Sequence, residues 1–169
     1  GDPEIAFPWL AQWNHGTTEH DLEKQCQQFI YETQWSSRFF TPVKNLVHEL
    51  HAQNIDVHVV SGSIRWIVAA AAAELKIKKQ NIIGTAVEVK QTRLTESIIT
   101  PVPCRAGKAK AIAAKFKHSP AFVVGNTSLD FEMMETASFG GLAIQSDIIG
   151  EPCYVTEQKL AQAAHDRGW

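Results

Sequence analysis

Hydrophobic positions recur at helical spacing in the first third of the chain. One stripe falls at i, i+4, i+7 and i+8 and predicts an amphipathic helix that runs to about residue 31. Its members are Leu22, Cys26, Phe29 and Ile30. Thr18, three residues before Asp21, is a candidate N-cap for this helix. The residues before it contain prolines and tryptophans without a clear period, so we expect an irregular or short helical lead-in.

A second helix is predicted to begin at Thr41-Pro42, with Thr41 as its N-cap, and to stop near Asn54. Further along, short apolar runs alternate with helical segments. The predicted strands are residues 55–60, 81–84, 122–124, 142–144 and 154–155, together with a hairpin of residues 87–89 and 94–96. Helices are predicted at residues 64–75, 107–116 and 156–166. This alternation favours an α/β fold with a doubly wound (Rossmann-like), mostly parallel sheet and a small β-hairpin.

Small polar residues follow the strand predicted to end at Val60. Ser61-Gly62-Ser63 offers two hydroxyls and backbone N–H groups next to a helix N-terminus, an arrangement that suits a bound anion. The alternative is that Ser63 simply caps the following helix.

A comparable loop follows the strand Phe122–Val124. Asp130 is the only carboxylate in this loop, and Asn126 lies four residues before it. Oxygen ligands of this kind suit a hard cation such as Mg²⁺. The alternative is a strand–helix turn with Asp130 as an N-cap.

Lys108 is placed in the first turn of a predicted helix, where the helix dipole disfavours a cation. A functional anion nearby would explain it; the alternative is a solvated surface lysine, like its neighbour Lys110. A nucleotide-binding phosphate loop around Gly107-Lys108 is excluded, because Val102 and Ala109 occupy positions where glycine and serine or threonine are needed.

Composition removes several classes of function. A net charge of −2, with scattered Lys and Arg, gives no case for nucleic acid, and no apolar run is long enough to span a membrane. Three widely spaced cysteines show no metal or disulfide pattern, so we expect reduced thiols and a cytoplasmic location. His48, His51 and His58 lack a convincing zinc-ligand pattern. The sequence opens without methionine, so an upstream signal stays open.

Taken in order, the segments VVSGS, PVPCRAGKAKAI and FVVGNTSLDFEMM resemble motifs two, three and four of the haloacid dehalogenase-like hydrolases. The match is closest to their phosphoserine-phosphatase-like branch and covers roughly residues 41–169. The hairpin and the closing AAHDRGW also resemble that branch. Residues 1–38 resemble part of its helical cap, and residues 39–169 resemble its Rossmann-like core without the first strand.

The resemblance implies a role for each matching residue. Ser61, with Gly62 and Ser63, would bind the transferring phosphoryl group, and Ser61 and Lys108 would be catalytic. Lys108 would neutralise negative charge on the phosphoryl group. Asp130 and Asn126 would hold Mg²⁺, although the family usually has aspartate where Asn126 stands.

The family's first motif is Asp-x-Asp, and no such pair occurs in these residues. Its first aspartate is the nucleophile that forms an aspartyl-phosphate. We therefore expect a Mg²⁺-dependent phosphomonoesterase for a small phosphorylated metabolite, whose nucleophile lies outside this chain and which is inactive as the chain stands. The rival is a non-catalytic phosphate- or protein-binding module. A missing N-terminal segment, or a homo-oligomer partner, is expected to complete the sheet.

Overall fold

The computed structural model describes residues 2–146 and 148–169. The helices of this part are α1 (Pro3–Gln12), α2 (Glu19–Glu32), α3 (Thr41–Ala52), α4 (Arg65–Ala73), α5 (Ala106–Lys115), α6 (Phe131–Met134) and α7 (Tyr154–Arg167). The strands are β1 (Val59–Ile64), β2 (Ile82–Thr85), β3 (Val87–Lys90), β4 (Arg93–Ile98), β5 (Phe122–Gly125) and β6 (Gly140–Ala143). The chain divides into two compact units, Gly1–Val102 and Pro103–Trp169. The division falls between Pro101 and Pro103.

The predicted amphipathic helix is confirmed as α2. Thr18 accepts a hydrogen bond from the Asp21 N–H at 3.1 Å, so the helix begins with a side-chain cap. Leu22, Cys26 and Ile30 are buried along one face, as the spacing predicts. Phe29 is instead 48 % exposed, because it lies at the edge of that face.

The lead-in is more regular than its sequence predicts, because residues 3–12 form α1. Asp2 accepts a hydrogen bond from the Glu4 N–H at 3.1 Å, and Pro3 occupies the first turn, where a missing N–H costs nothing. Pro8 lies inside the helix and removes one internal hydrogen bond. Tertiary packing compensates, since α1 lies against β1 and β4 and its Ala11 is fully buried.

The boundaries of α3 differ slightly from the prediction. Phe40, not Thr41, occupies the cap position, and no side chain caps this helix. Pro42 does lie in the first turn. Asn54 has φ +57°, a left-handed conformation that asparagine tolerates, and this explains why the helix stops just before it.

In the first unit, β1 pairs in parallel with β2, and β3 pairs antiparallel with β4. The hairpin is confirmed, although its turn lacks the usual Asn-Gly. Gln91 and Thr92 take its central positions at φ +48° and +72°, which is the sign that a tight hairpin turn requires. One core of this unit contains Leu22, Cys26, Trp66, Val87 and Leu94, together with Ala11 and Ala86.

In the second unit, β5 pairs in parallel with β6, and α5, α6 and α7 accompany them. The predicted strand at residues 154–155 is wrong, because Tyr154 begins α7. High strand propensity of Tyr-Val is overridden here by a helical stripe that buries Glu157, Leu160 and Ala164.

The α/β class, the parallel pairs and the hairpin are therefore confirmed. Each sheet of the described residues has two strands. The doubly wound arrangement, the division into a cap segment (1–38) and a core (39–169), and the strand that would complete the sheet stay predictions.

Candidate functional site

The Ser-Gly-Ser segment is part of a strand and is not a free loop. β1 does not end at Val60 but continues to Ile64, with an irregular register between Ser61 and Ile64. Helix α4 begins at Arg65 with Ile64 in the cap position, so the alternative that Ser63 caps the helix is wrong.

Local contacts hold this segment in place. The Ser63 N–H donates a hydrogen bond to the Ser61 Oγ at 3.2 Å, which leaves the Ser61 O–H able to donate to a ligand. The Gly62 carbonyl accepts a hydrogen bond from the buried Thr85 hydroxyl at 2.6 Å. A Cβ at position 62 would lie 2.3 Å from Phe7 Cε2, so the ring packs directly on the backbone of this strand. Any larger residue at position 62 would have to displace the Phe7 ring.

Lys108 lies in the first turn of α5, as predicted, and is 9 % exposed. Its ammonium group donates to the Asp130 Oδ1 in a buried ion pair. The anion that offsets the unfavourable helix dipole is therefore a carboxylate of the protein itself. The alternative of a solvated lysine is wrong for Lys108, whereas its neighbour Lys110 is exposed.

Asp130 is the centre of this cluster and is 4 % exposed. Its Oδ2 accepts hydrogen bonds from the backbone N–H groups of Asn126 at 3.0 Å and Thr127 at 3.2 Å. With Thr127 it forms a capping box around the turn of residues 128–130, in which Asp130 is the third residue. Asp130 also occupies the N-cap position of α6, as the alternative predicted, although its side chain makes no capping hydrogen bond to that helix. A Cβ at position 125 would lie 2.6 Å from the Asp130 Cβ, so Gly125 permits the chain to pass this close.

A magnesium ion would find only a partial set of ligands here. A carboxylate has about four lone-pair positions, and Lys108 and the two amides occupy three of them on Asp130. Asn126 is exposed, so its amide oxygen is available as a second ligand. The described residues contain no cluster of three or more His, Cys, Asp or Glu side chains suited to a metal. Asp130 and Asn126 thus offer at most one free carboxylate position and one amide oxygen, a set that suits a Mg²⁺ that keeps most of its waters and not a closed protein cage.

Two residues that contact the candidate site residues, Thr127 and Phe7, were not predicted from the sequence. Thr127 could have been found, since Thr-x-x-Asp is a recognised capping-box spacing. Phe7 carried no signal, because its contact with Gly62 joins residues that are distant in the sequence. The site residues thus fall into two clusters, Ser61–Ser63 in the first unit and Lys108 with Asp130 and the Asn126 backbone in the second.

A family model described as haloacid dehalogenase-like hydrolase matches residues 4–135, which is most of the chain. The chain belongs to the haloacid dehalogenase-like hydrolase family. No curated protein matches it. As a family member it carries Lys108 and Asp130 inside the matched region, where the sequence predicts two of the family's motifs.

Solved structures support the same fold. A protein of unknown function from Bordetella pertussis Tohama I aligns with a TM-score of 0.75 and 16% identity, over 100% of this chain and 73% of that one. A functionally unknown protein from Anaerococcus prevotii DSM 20548 aligns with a TM-score of 0.71 and 16% identity, over 94% of this chain and 50% of that one. A phosphoserine phosphohydrolase-like protein from Francisella tularensis subsp. tularensis SCHU S4 aligns with a TM-score of 0.52 and 15% identity, over 72% of this chain and 57% of that one. At these identities the likeness shows the fold alone.

Within the described part of this hydrolase-family chain, no helix is both long enough and apolar enough to cross a bilayer.

Proposed function

We propose that this hydrolase is a Mg²⁺-dependent phosphomonoesterase that acts on a small phosphorylated metabolite. Family membership supports hydrolysis, and the phosphoserine phosphohydrolase-like neighbour supports a phosphorylated substrate. The observation that carries the proposal is the buried lysine Lys108, whose ammonium is held by a carboxylate at a helix N-terminus.

In this proposal Ser61, Gly62 and Ser63 bind the phosphoryl group in the first unit. Ser61 donates its O–H to a phosphoryl oxygen, because its own oxygen is oriented by the Ser63 N–H at 3.2 Å. The backbone of Gly62, which follows Ser61, packs against the Phe7 ring. Pre-positioned donors of this kind are the main protein contribution to phosphoryl transfer.

Lys108 supplies fixed positive charge that offsets negative charge on the phosphoryl group during transfer. A long, flexible lysine loses much side-chain entropy when it is ordered. The contact with Asp130 already orders Lys108 before substrate binds, so substrate binding does not have to order it. The amides of Asn126 and Thr127 fix Asp130 in turn. The ammonium is therefore pre-oriented and needs no rearrangement as charge develops.

Asp130 and the Asn126 amide oxygen would hold Mg²⁺ together with water and the substrate phosphate. The ion would supply further positive charge to the phosphoryl oxygens. Because Asn126 is neutral where the family usually has aspartate, we expect weak binding of Mg²⁺ in the absence of substrate. The nucleophile is proposed to be an aspartate outside these residues, since they contain no Asp-x-Asp pair.

The absence of Asp-x-Asp also favours a second candidate, a non-catalytic module that binds phosphate or a protein. The two candidates differ in one measurable property. The enzyme releases phosphate from a substrate, whereas the module binds a phosphorylated ligand without turnover.

The test is phosphate release by the natural full-length protein on a panel of phosphomonoesters, with Mg²⁺ or with EDTA. We expect Mg²⁺-dependent turnover, and none from the 169 residues alone. Lys108→Ala and Ser61→Ala should each lower kcat by about 100-fold or more, the scale of losing one transition-state contact. Lys110→Ala on the same helix is the matched control and should change kcat less than about twofold.

Circular dichroism of each variant separates lost chemistry from lost folding. Phosphate binding by the full-length protein without turnover of any substrate would support the non-catalytic module. Robust turnover by the 169 residues alone would refute the proposed source of the nucleophile.

A further inference from the structure

The first unit contains a cavity of about 490 Å³ beside the Ser-Gly-Ser strand, here called the α1 cavity. Helix α1 contributes Phe7 and Leu10 to its lining, and Trp13 directly follows that helix. Ile64 and Ile67 come from the end of β1 and from α4. This volume lies within the range of roughly 300–1,000 Å³ that small-molecule sites occupy. The cavity is therefore large enough for the organic part of a small metabolite.

The lining is apolar apart from Asn14 and Ser63, and none of its residues carries a formal charge. The cavity is open to solvent, so a ligand ammonium or carboxylate placed there would stay partly hydrated but would gain no counter-charge from the lining. An alkyl or aryl group would lose contact with water and gain contact with apolar side chains, which is favourable. The chemistry of the lining thus favours an apolar substituent over the charged one of a phosphorylated amino acid.

The cavity is connected to the proposed phosphate-binding segment through Ser63. Ser63 lines the cavity, and its N–H donates to the hydroxyl of Ser61 at 3.2 Å. Phe7, another lining residue, lies against Gly62 so closely that any Cβ there would overlap the ring. A phosphoryl group bound by Ser61 would therefore have its ester substituent next to this apolar wall.

The aromatic side of the cavity is exposed to solvent. Leu10 of α1 is 43% exposed, and Trp13, which caps the end of that helix, is 72% exposed. Trp13 also contacts the ring of Trp9 at a centroid distance of 4.7 Å, which extends the apolar surface. An apolar substituent would cover part of this surface, whereas a charged one would leave it in water.

We propose that the α1 cavity binds the uncharged, apolar organic group of the substrate, so that this protein prefers alkyl or aryl phosphates to phosphoserine. The inference rests on the proposed phosphomonoesterase function. It concerns the leaving group alone, and a phosphate-free alcohol should also bind the cavity.

The first experiment compares kcat/KM of the full-length protein for hexyl phosphate, methyl phosphate and O-phosphoserine. We expect hexyl phosphate to exceed phosphoserine by at least tenfold. Leu10→Lys introduces a charge into the lining and should lower kcat/KM for hexyl phosphate about tenfold, mainly through KM. The same variant should leave methyl phosphate unchanged within twofold, because a methyl group does not fill the cavity.

Ile5→Lys is the matched control, since Ile5 lies on the same helix, is 72% exposed and does not line the cavity. It should leave the preference for hexyl phosphate unchanged. A preference for phosphoserine, or an equal loss for methyl and hexyl phosphate in Leu10→Lys, would overturn the inference.

The second experiment does not depend on activity. Addition of 1-hexanol should shift the indole N–H resonance of Trp13 in an NMR spectrum, assigned with Trp13→Phe, and Leu10→Lys should reduce the shift. If no phosphate ester is hydrolysed but hexanol shifts Trp13, the phosphatase function fails and the apolar site stands. If esters are hydrolysed but hexanol leaves Trp13 unchanged, the cavity assignment fails and the phosphatase function stands.

Discussion

The ion pair of Lys108 and Asp130 offers a quantitative test of the second unit. Asp130→Ala leaves a buried ammonium without its partner and two backbone amides without an acceptor. Removing one partner of a buried pair costs about 3–5 kcal/mol. Because a whole domain is stable by only about 5–15 kcal/mol, this variant should be severely destabilised. We therefore expect a large drop in the urea midpoint of the unit that contains residues 103–169.

Lys108→Met should cost less, about 1–3 kcal/mol, because Asp130 keeps its two amide hydrogen bonds when the lysine is removed. The double variant should be more stable than the sum of the two single losses predicts. The expected coupling energy is about 1.5–3 kcal/mol, the value typical of a hydrogen bond to a charged group.

Hydrogen exchange read by mass spectrometry follows this unit separately from the first one. The segment of residues 122–134 contains the two backbone N–H groups that donate to Asp130. Its protection against hydrogen exchange should therefore fall in both variants, and it should fall further in Asp130→Ala than in Lys108→Met. Lys110→Met removes an exposed lysine two positions away and should change stability by less than about 0.5 kcal/mol. Equal losses for Lys108→Met and Lys110→Met, or a coupling energy below about 0.5 kcal/mol, would refute the reasoning.

Other predictions concern the first unit and the cysteines. Burial, and secondarily the charge of Glu23, raises the pKa of the Cys26 thiol above its ordinary value, so its thiolate forms only at higher pH. Iodoacetamide at pH 8 should therefore label the exposed Cys153 well before Cys26, which mass spectrometry can follow; equal rates would contradict this. Glu19→Gln removes the ion pair with Arg65 and should cost about 1 kcal/mol in urea unfolding. The exposed control Glu49→Gln should cost nothing measurable, and equal losses would contradict the pairing.

Local patterns were enough to predict most of the elements. The stripe that begins at Leu22 and the cap at Thr18 predicted α2, because both signals act within one or two turns of chain. The hairpin was predicted from its alternation even without a typical turn sequence. The errors lie where packing overrides local preference, as at Pro8 inside α1 and at Tyr154, which strand propensity assigned to β-structure.

The start of α4 shows a different limit of sequence reasoning. Small polar residues after Val60 predicted a loop, since serine and glycine favour turns. In the structure these residues extend β1 to Ile64. The Gly62 carbonyl accepts a hydrogen bond from the Thr85 hydroxyl, and the Phe7 ring packs against the Gly62 Cα. Neither partner is near in sequence, so no local pattern could predict them. The structure removes one reason for the phosphate-binding prediction, because Ser61–Ser63 lie inside β1 and not in a loop at a helix N-terminus. The role of Ser61 stays a prediction.

Lys108 shows how a violated rule can indicate a site. A cation in the first turn of a helix opposes the dipole, so the sequence indicated either an anion nearby or a solvated surface lysine. In the structure that anion is the Asp130 carboxylate, which accepts a hydrogen bond from the Lys108 ammonium. The carboxylate offsets the unfavourable interaction between the lysine and the helix dipole. An ion pair that served stability alone could be replaced by packed apolar side chains at no cost or with a gain. Stability alone therefore gives no reason for the buried pair of Lys108 and Asp130, and the proposed charge stabilisation of a phosphoryl group would give one.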